Sequence, residues 1–296
     1  MVGCFYKKHF MKITCINILV AFLIFNCSNE SVDSSNNEAL EFQKLLNVSY
    51  GPDTNQTYDI YLPKGRDQNT KVMLLVHGGG WTSGDKSNMG FIVDLYRADF
   101  PNVALVNINY RLADENNPPY PMQIDDITSI INQLKAKKDD YVISENYGFL
   151  GISAGGHLSL LWSYAFDNQN NVNMVCSIVG PTNFTDPAYL NNTDPLLQEL
   201  IDVYGANPAL EFLEELSPLY QATETSPPTI LFYGGQDPLV PTAQGTALRD
   251  KLNDLNVVNE FTLYPEAGHG WGANAGELAL LLDTWSKIKS FTQTYL

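Results

Sequence analysis

The sequence predicts an α/β fold on a mostly parallel, doubly wound sheet, and three observations predict it. Short, nearly apolar runs recur at residues 71–76, 103–107, 147–152, 174–179 and 229–233, as expected of strands buried on both faces. Segments of helical periodicity lie between most of them, so strand and helix alternate along the chain. The rhythm breaks once, at about 185–225, and then resumes, which reads as a small helical cap inserted at the carboxyl end of the sheet.

The elements follow in order. Lys7, Lys8 and Lys12 precede an apolar stretch at 13–25, with no acidic residue before Glu30, so residues 1–26 read as a secretion signal too short for a comfortable membrane span. Residues 27–43 are rich in Ser, Asn and Glu and read as a disordered tether. The folded domain is expected over 44–296. Runs at 45–50 and 57–62 suggest antiparallel strands around Gly51-Pro52-Asp53. A strand at 71–76, a helix at 91–100 and a strand at 103–107 come next. Pro121 opens a long helix with Ile127, Ile130, Ile131 and Leu134 on one face. Asp125 and Asp126 near its start and Lys135, Lys137 and Lys138 near its end suit the helix dipole. A strand at 147–152 leads into a helix at 155–166, followed by a strand near 174–179. The cap holds two short amphipathic pieces, 196–204 and 209–216. A strand at 229–233, a helix at 242–255, a strand at 260–264 and a closing helix from about Glu277 complete the chain.

With 296 residues, 44% of them hydrophobic, the chain can bury the core of one large domain. The net charge of −16 disfavours nucleic acid and anionic lipid headgroups, so a neutral substrate is the more comfortable partner. Of four cysteines, Cys4 and Cys15 fall in the signal. Cys176 sits in an apolar run and reads as a small buried hydrophobe, leaving Cys27 without a disulfide partner.

The chemistry centres on Gly151-Ile152-Ser153-Ala154-Gly155, where a strand turns sharply into a helix and pushes a hydroxyl out at the tip. A serine needs an adjacent base. Among four histidines, His9 is in the signal, His77 opens a glycine run as a structural brace, and His157 lies on the serine's own helix. His269, in a glycine-flanked loop after the last expected strand, is therefore the candidate base. The base needs an acid to fix its tautomer. Asp237 directly follows a strand end, with Glu266 as the fallback. The order Ser153, Asp237, His269 is that of the α/β hydrolases. In His77-Gly78-Gly79-Gly80-Trp81, the amides of Gly79 and Gly80 can converge with that of Ala154 on a developing oxyanion. Trp81, Trp271 and Tyr120 are candidate substrate contacts. Gly79 to Ser87 superficially matches a phosphate-binding loop, but Asp85 stands where its lysine belongs, so that reading is rejected. No H-E-x-x-H, C-x-x-C or G-x-G-x-x-G pattern occurs, so neither a metal nor another cofactor is expected.

The blocks YDIYLP, VHGGGWTSGDK, NYRL, YPMQIDD, GISAGGHLSLL, GGQDPLVP and YPEAGHGW run from Tyr58 to Trp271. Through them the chain resembles the α/β hydrolases, in the branch of bacterial exported esterases that includes acetyl and feruloyl carbohydrate esterases and stands beside the hormone-sensitive lipase group. The HGGGW block is also similar to that of kynurenine formamidase. The resemblance implies ester hydrolysis through an acyl-enzyme on Ser153, with amide hydrolysis on the same residues and a non-catalytic surface binding protein as the alternatives. Residues 24–31 resemble a bacterial lipoprotein signal, which implies lipidation of Cys27 and an envelope location with that lipid as the only membrane contact. Asn26 departs from that pattern, which usually has a smaller residue there.

Overall fold

The computed structural model describes residues 39–191, 193–205, 208–272 and 275–296; the expected signal and Cys27 lie outside them. The elements are β1 (Gln43–Ser49), β2 (Thr57–Leu62), β3 (Val72–Val76), α1 (Gly90–Asp99), β4 (Ala104–Ile108), α2 (Pro119–Ala136), α3 (Lys138–Tyr141), β5 (Tyr147–Ile152) and α4 (Ala154–Ala165). They continue with β6 (Val172–Ile178), α5 (Pro187–Leu190), α6 (Pro195–Asp202), α7 (Leu210–Leu216), α8 (Pro218–Gln221), β7 (Thr229–Gly234), α9 (Thr242–Asp254), β8 (Asn259–Tyr264) and α10 (Leu278–Tyr295). The eight strands form one sheet in the order β1-β2-β4-β3-β5-β6-β7-β8. β2 runs antiparallel to both of its neighbours, and every pairing from β4 to β8 is parallel.

β3, β4 and β7 are buried along their whole length, which explains their unbroken apolar composition. Successive side chains go to opposite faces. Val72, Leu74 and Val76 join Ile127, Ile130 and Leu134 of α2 and Leu158 and Leu161 of α4 in one core. Met73 and Leu75 join Tyr96 of α1 and Ile288 and Phe291 of α10 in the other, along with Cys176. Each fully buried Leu, Ile or Phe contributes about 1.5–3 kcal/mol relative to exposure.

Some boundaries differ from expectation for local reasons. Residues 39–43, expected to close the tether, are bonded onto the fold: Gly65 N–H donates to Leu40 O at 2.7 Å and Arg66 Nη1 to Glu41 O at 2.7 Å. Tyr120 holds non-helical angles (φ −107°, ψ 135°), so the regular turns of α2 begin at Pro121. The stretch at 185–225 carries four short helices, α5 to α8, lying between β6 and β7.

Parallel register aligns the ends that matter. Val76 pairs with Gly151, Ile152 with Ile178, and Ile178 with Phe232, so the loops after β3, β5 and β7 leave one edge of the sheet together. The segment after β8 joins them, because Tyr264 pairs with Gly234.

The cap is seated on this edge through His157 of α4. Its Nε2–H donates to Leu216 O of α7 at 2.9 Å, and its Nδ1 accepts from Trp81 Nε1–H at 3.1 Å. A carbonyl can only accept and an indole can only donate, so the ring is neutral with its proton on Nε2. Burial pushes its pKa down to about 4 from 6.5, and burial lowers that of His77 as well. The unfolded chain therefore binds a proton that the native state refuses. The stabilisation is complete above about pH 6.5 and is lost as pH falls towards about 4. Urea denaturation should show unfolding free energy dropping by a few kcal/mol across that window, with a smaller drop in His157→Asn; equal slopes would remove His157 from the acid response.

Candidate active site

The backbone at Ser153 takes φ 54° and ψ −121°, a left-handed conformation between the end of β5 and the start of α4. Its N–H donates to Ile178 O at 2.8 Å. The turn is this tight because of its glycines: a Cβ on Gly151 would lie 2.1 Å from Gly155 O, and one on Gly155 would lie 2.2 Å from Val76 O.

The three side chains named from sequence meet in a line. Ser153 Oγ is 2.9 Å from His269 Nε2, and His269 Nδ1 is 2.8 Å from Asp237 Oδ2. The second oxygen of Asp237, Oδ1, accepts from the amides of Leu239 at 2.8 Å and Val240 at 2.9 Å. Its carboxylate has no solvent exposure, whereas the imidazole remains 21% exposed. The acid is thus fixed by backbone donors on one side and directs its other oxygen to the ring. Bonded to the carboxylate, Nδ1 carries the ring proton, which leaves Nε2 free to take the proton of Ser153. Glu266, the fallback acid, is exposed.

Gly78, Gly79 and Gly80 line the same cavity as Ser153 and His269, a space of about 410 Å³ closed by Trp81, Ile152, Pro181, Leu239 and Val240. Gly79 has φ 124°, and a Cβ there would lie 2.1 Å from Ser83 O, so only glycine fits. Among the described residues the N–H groups of Gly79, Gly80 and Ala154 have no hydrogen-bond partner. Ala154 is the first residue of α4, where an amide has no acceptor within the helix. Such donors suit an incoming anionic oxygen. His77 is the expected brace: it is wholly buried, stacks on Tyr110 at 4.3 Å, donates from Nδ1 to Gly78 O at 2.7 Å, and its carbonyl accepts from Tyr110 Oη at 2.9 Å.

The aromatic candidates are divided. Trp81 borders the cavity, but it is 1% exposed and its indole is spent on His157. Trp271 does not border it. Its indole donates to Thr284 Oγ1 at 2.8 Å and it lines a separate apolar cavity of about 280 Å³ between α1 and α10. Gly270, between His269 and that tryptophan, has φ 114°. Tyr120 borders neither that cavity nor its neighbour, its hydroxyl donating to Glu215 in α7 and its ring packed on Phe212. Sequence reasoning missed Ile152, Pro181, Leu239 and Val240 as cavity walls. For Leu239 and Val240 a signal existed, in the apolar pair two and three residues after Asp237. A second cavity of about 800 Å³ shares Gly80 and Leu239 with the first and is bordered by Asp114, Glu115 and Asp202.

Known proteins place this geometry. Esterase LipC of Mycobacterium tuberculosis is 27% identical over 259 residues, covering 78% of this chain and 62% of LipC. The carboxylesterase NlhH of the same species is 28% identical over 222 residues, covering 70% of this chain and 65% of NlhH. The chain therefore spans less than two thirds of the length of these relatives. A truncated carbohydrate esterase from gut microbiota superposes with a TM-score of 0.68 at 21% identity, over 84% of this chain and 96% of that one. At such identity the likeness speaks for the fold, which is that of the α/β hydrolases. A family model described as BD-FAE matches residues 58–252, well over half of the sequence and spanning β2 to α9. The chain belongs to the BD-FAE family.

Proposed function

We propose that this protein is an exported serine carboxylesterase that hydrolyses neutral esters, acetyl or feruloyl esters of carbohydrates among them, through an acyl-enzyme on Ser153. The observation that carries this reading is the unbroken line from Ser153 Oγ through His269 to the buried Asp237, at 2.9 and 2.8 Å. In the first step Ser153 Oγ attacks the ester carbonyl carbon while His269 Nε2 takes the hydroxyl proton. The carbonyl oxygen becomes an oxyanion facing the amides of Gly79, Gly80 and Ala154. Collapse breaks the bond to the alcohol oxygen, which leaves with the proton from His269. Water then repeats the sequence on the acyl-enzyme and releases the acid. Asp237 holds the imidazole in its productive tautomer throughout.

The two cavities support a division of the substrate. The acyl group fits the apolar space beside Ile152, Pro181, Leu239 and Val240, and the alcohol the larger space beyond Gly80 and Leu239. Carboxylates at Asp114, Glu115 and Asp202 suit a neutral, hydroxyl-rich alcohol and repel an anionic one. The names of the relatives support ester chemistry, and those of solved structures, including an acetyl ester-xyloside bifunctional hydrolase from Caldicellulosiruptor lactoaceticus, agree with a carbohydrate alcohol. The reading places the enzyme in a bacterial envelope, lipid-anchored at Cys27, where polymeric glycans are reachable.

Three measurements test this reading. Turnover of short nitrophenyl esters should fall by about 10⁴-fold or more in Ser153→Ala and by about 10⁴-fold in Asp237→Asn; equal activity in wild type and Ser153→Ala would end the esterase reading, and an inert wild type that cleaves formyl amides would favour the amidase alternative. Acetylated neutral xylo-oligosaccharides should be cleaved faster than the same acetate on a uronate, most clearly at low salt; the reverse order would remove the carboxylates from alcohol recognition. Metabolic labelling with a fatty acid should mark wild type and spare Cys27→Ser; an unlabelled wild type would refute the anchor.

A further inference from the structure

His157 stands outside the line of reacting groups. It lies one turn beyond Ser153, its N–H donating to Ser153 O at 3.0 Å. Its ring is 1% exposed and both nitrogens are engaged. Leu216 O in the cap accepts from His157 Nε2–H, which obliges Nδ1 to be an acceptor, and Nδ1 accepts from the indole of Trp81.

Trp81 is the residue immediately after Gly80. Its φ of 63° is left-handed, a conformation that a bulky residue keeps only when its neighbours impose it. The neighbours do so from both ends. Trp81 O accepts from Gln123 Nε2 at 2.7 Å and from the amide of Ala113 at 2.9 Å, and the indole N–H is held by His157. Phe184 and Tyr204 close around the pair, at 5.8 and 5.3 Å from the Trp81 ring, with Phe184 also 5.0 Å from His157. The imidazole thus joins the helix that carries the serine to the loop that carries the glycine amides.

We infer that His157 is a positioning residue that holds the Gly79–Gly80 amides in register with Ser153 by gripping the indole of Trp81. The inference rests on the acyl-transfer reading above and adds a residue to it. Hydrogen bonds to a developing oxyanion depend steeply on distance and angle, so a loop released by a fraction of an ångström stabilises the transition state less while leaving the walls at Ile152, Pro181, Leu239 and Val240 in place. Loss of the grip should therefore lower kcat and spare KM.

The test is a double-mutant cycle on His157→Leu and Trp81→Phe. Two readouts apply: turnover of a nitrophenyl acetate, and affinity for an aliphatic trifluoromethyl ketone. Ser153 Oγ adds to the carbonyl carbon of that ketone, the hydroxyl proton passes to His269, and the carbonyl oxygen is left as a stable oxyanion. Each variant should lose roughly 10- to 100-fold in kcat with KM within about threefold, and ketone affinity should weaken in parallel. The double variant should lose little more than either single one. Wild-type kcat in either folded variant, a fall in kcat with unchanged ketone affinity, or multiplicative losses in the double variant would overturn the inference. If His157→Leu does not fold, Trp81→Phe decides by the same two readouts, since it keeps an aromatic ring and removes the N–H. Wild type and Ser153→Ala in the same assay separate the two failures: no Ser153-dependent turnover defeats the esterase reading, and normal turnover with unaffected variants defeats only the role of His157.

Discussion

The left-handed backbone at Ser153 is the constraint from which the rest of the site follows. Holding a residue with a side chain at φ 54° costs on the order of 1–3 kcal/mol, and the surrounding fold must keep it there. β5 supplies the entry, α4 the exit, and the carbonyl of Ile178 on the neighbouring strand grips the serine amide. The direction of the hydroxyl is then set by the main chain before any partner reaches it. The same crowding brings up the second half of the site. With no Cβ on Gly155, α4 starts against the carbonyl of Val76, and a Cβ on Gly78 would lie 2.9 Å from Ile152 O. The turns after β3 and β5 therefore touch main chain to main chain, and the glycine amides stand beside Ser153 as a consequence of packing.

A polar frame holds the loop after β3. Asp85 caps the short turn at Lys86–Met89 through the amide of Ser87, and its other oxygen accepts from Asn109 Nδ2 at 2.8 Å. Although burial alone would raise its pKa, hydrogen bonds from Ser87 and Asn109 hold that carboxyl down at about 2. The residue that argued against a phosphate loop is thus a structural anchor joining the glycine run to the end of β4. Asp126 does the equivalent for the next segment. Wholly buried, it takes the amide, Nε and Nη2 of Arg111 and the side-chain amide of Gln56. Removing one partner from such a pair leaves an uncompensated buried charge, so the pairing holds Arg111 against α2. Two residues on, the Ala113 amide donates to the carbonyl of Trp81.

What was legible in the sequence follows from this physics. Strands buried on both faces write themselves as apolar runs, so β5 was bounded to the residue and β3, β4 and β7 to within one. The four-residue helices α3, α5 and α8 are too short to show a period, and they went unmarked. Ser153, Asp237 and His269 were legible because each follows a strand end, where the chain must turn at one edge of the sheet. The aromatic contacts were not, because adjacency in sequence does not fix direction on a loop: Gly270 at φ 114° is enough to send Trp271 towards α10 while His269 faces the serine. His157 was read only as a rejected base, since neither Trp81 nor the carbonyl at Leu216 is near it in the chain.

Two polar contacts from the cap reach groups beside Ser153 and Asp237, in addition to the ring contacts of Tyr204 with Trp81 and His157. Leu216 O fixes the tautomer of His157 on one side. On the other, Tyr189 of α5 donates to Leu239 O at 3.2 Å, and the amide of the same Leu239 holds the carboxylate of Asp237. Leu239, like Gly80, borders both cavities. Its main chain holds Asp237 while the residue borders both cavities, so a shift at the Tyr189 contact bears on the carboxylate and on the cavity wall together. Val203 and Tyr204 of the cap border the larger cavity directly, so the cap shapes that space by its own side chains as well as through Leu239.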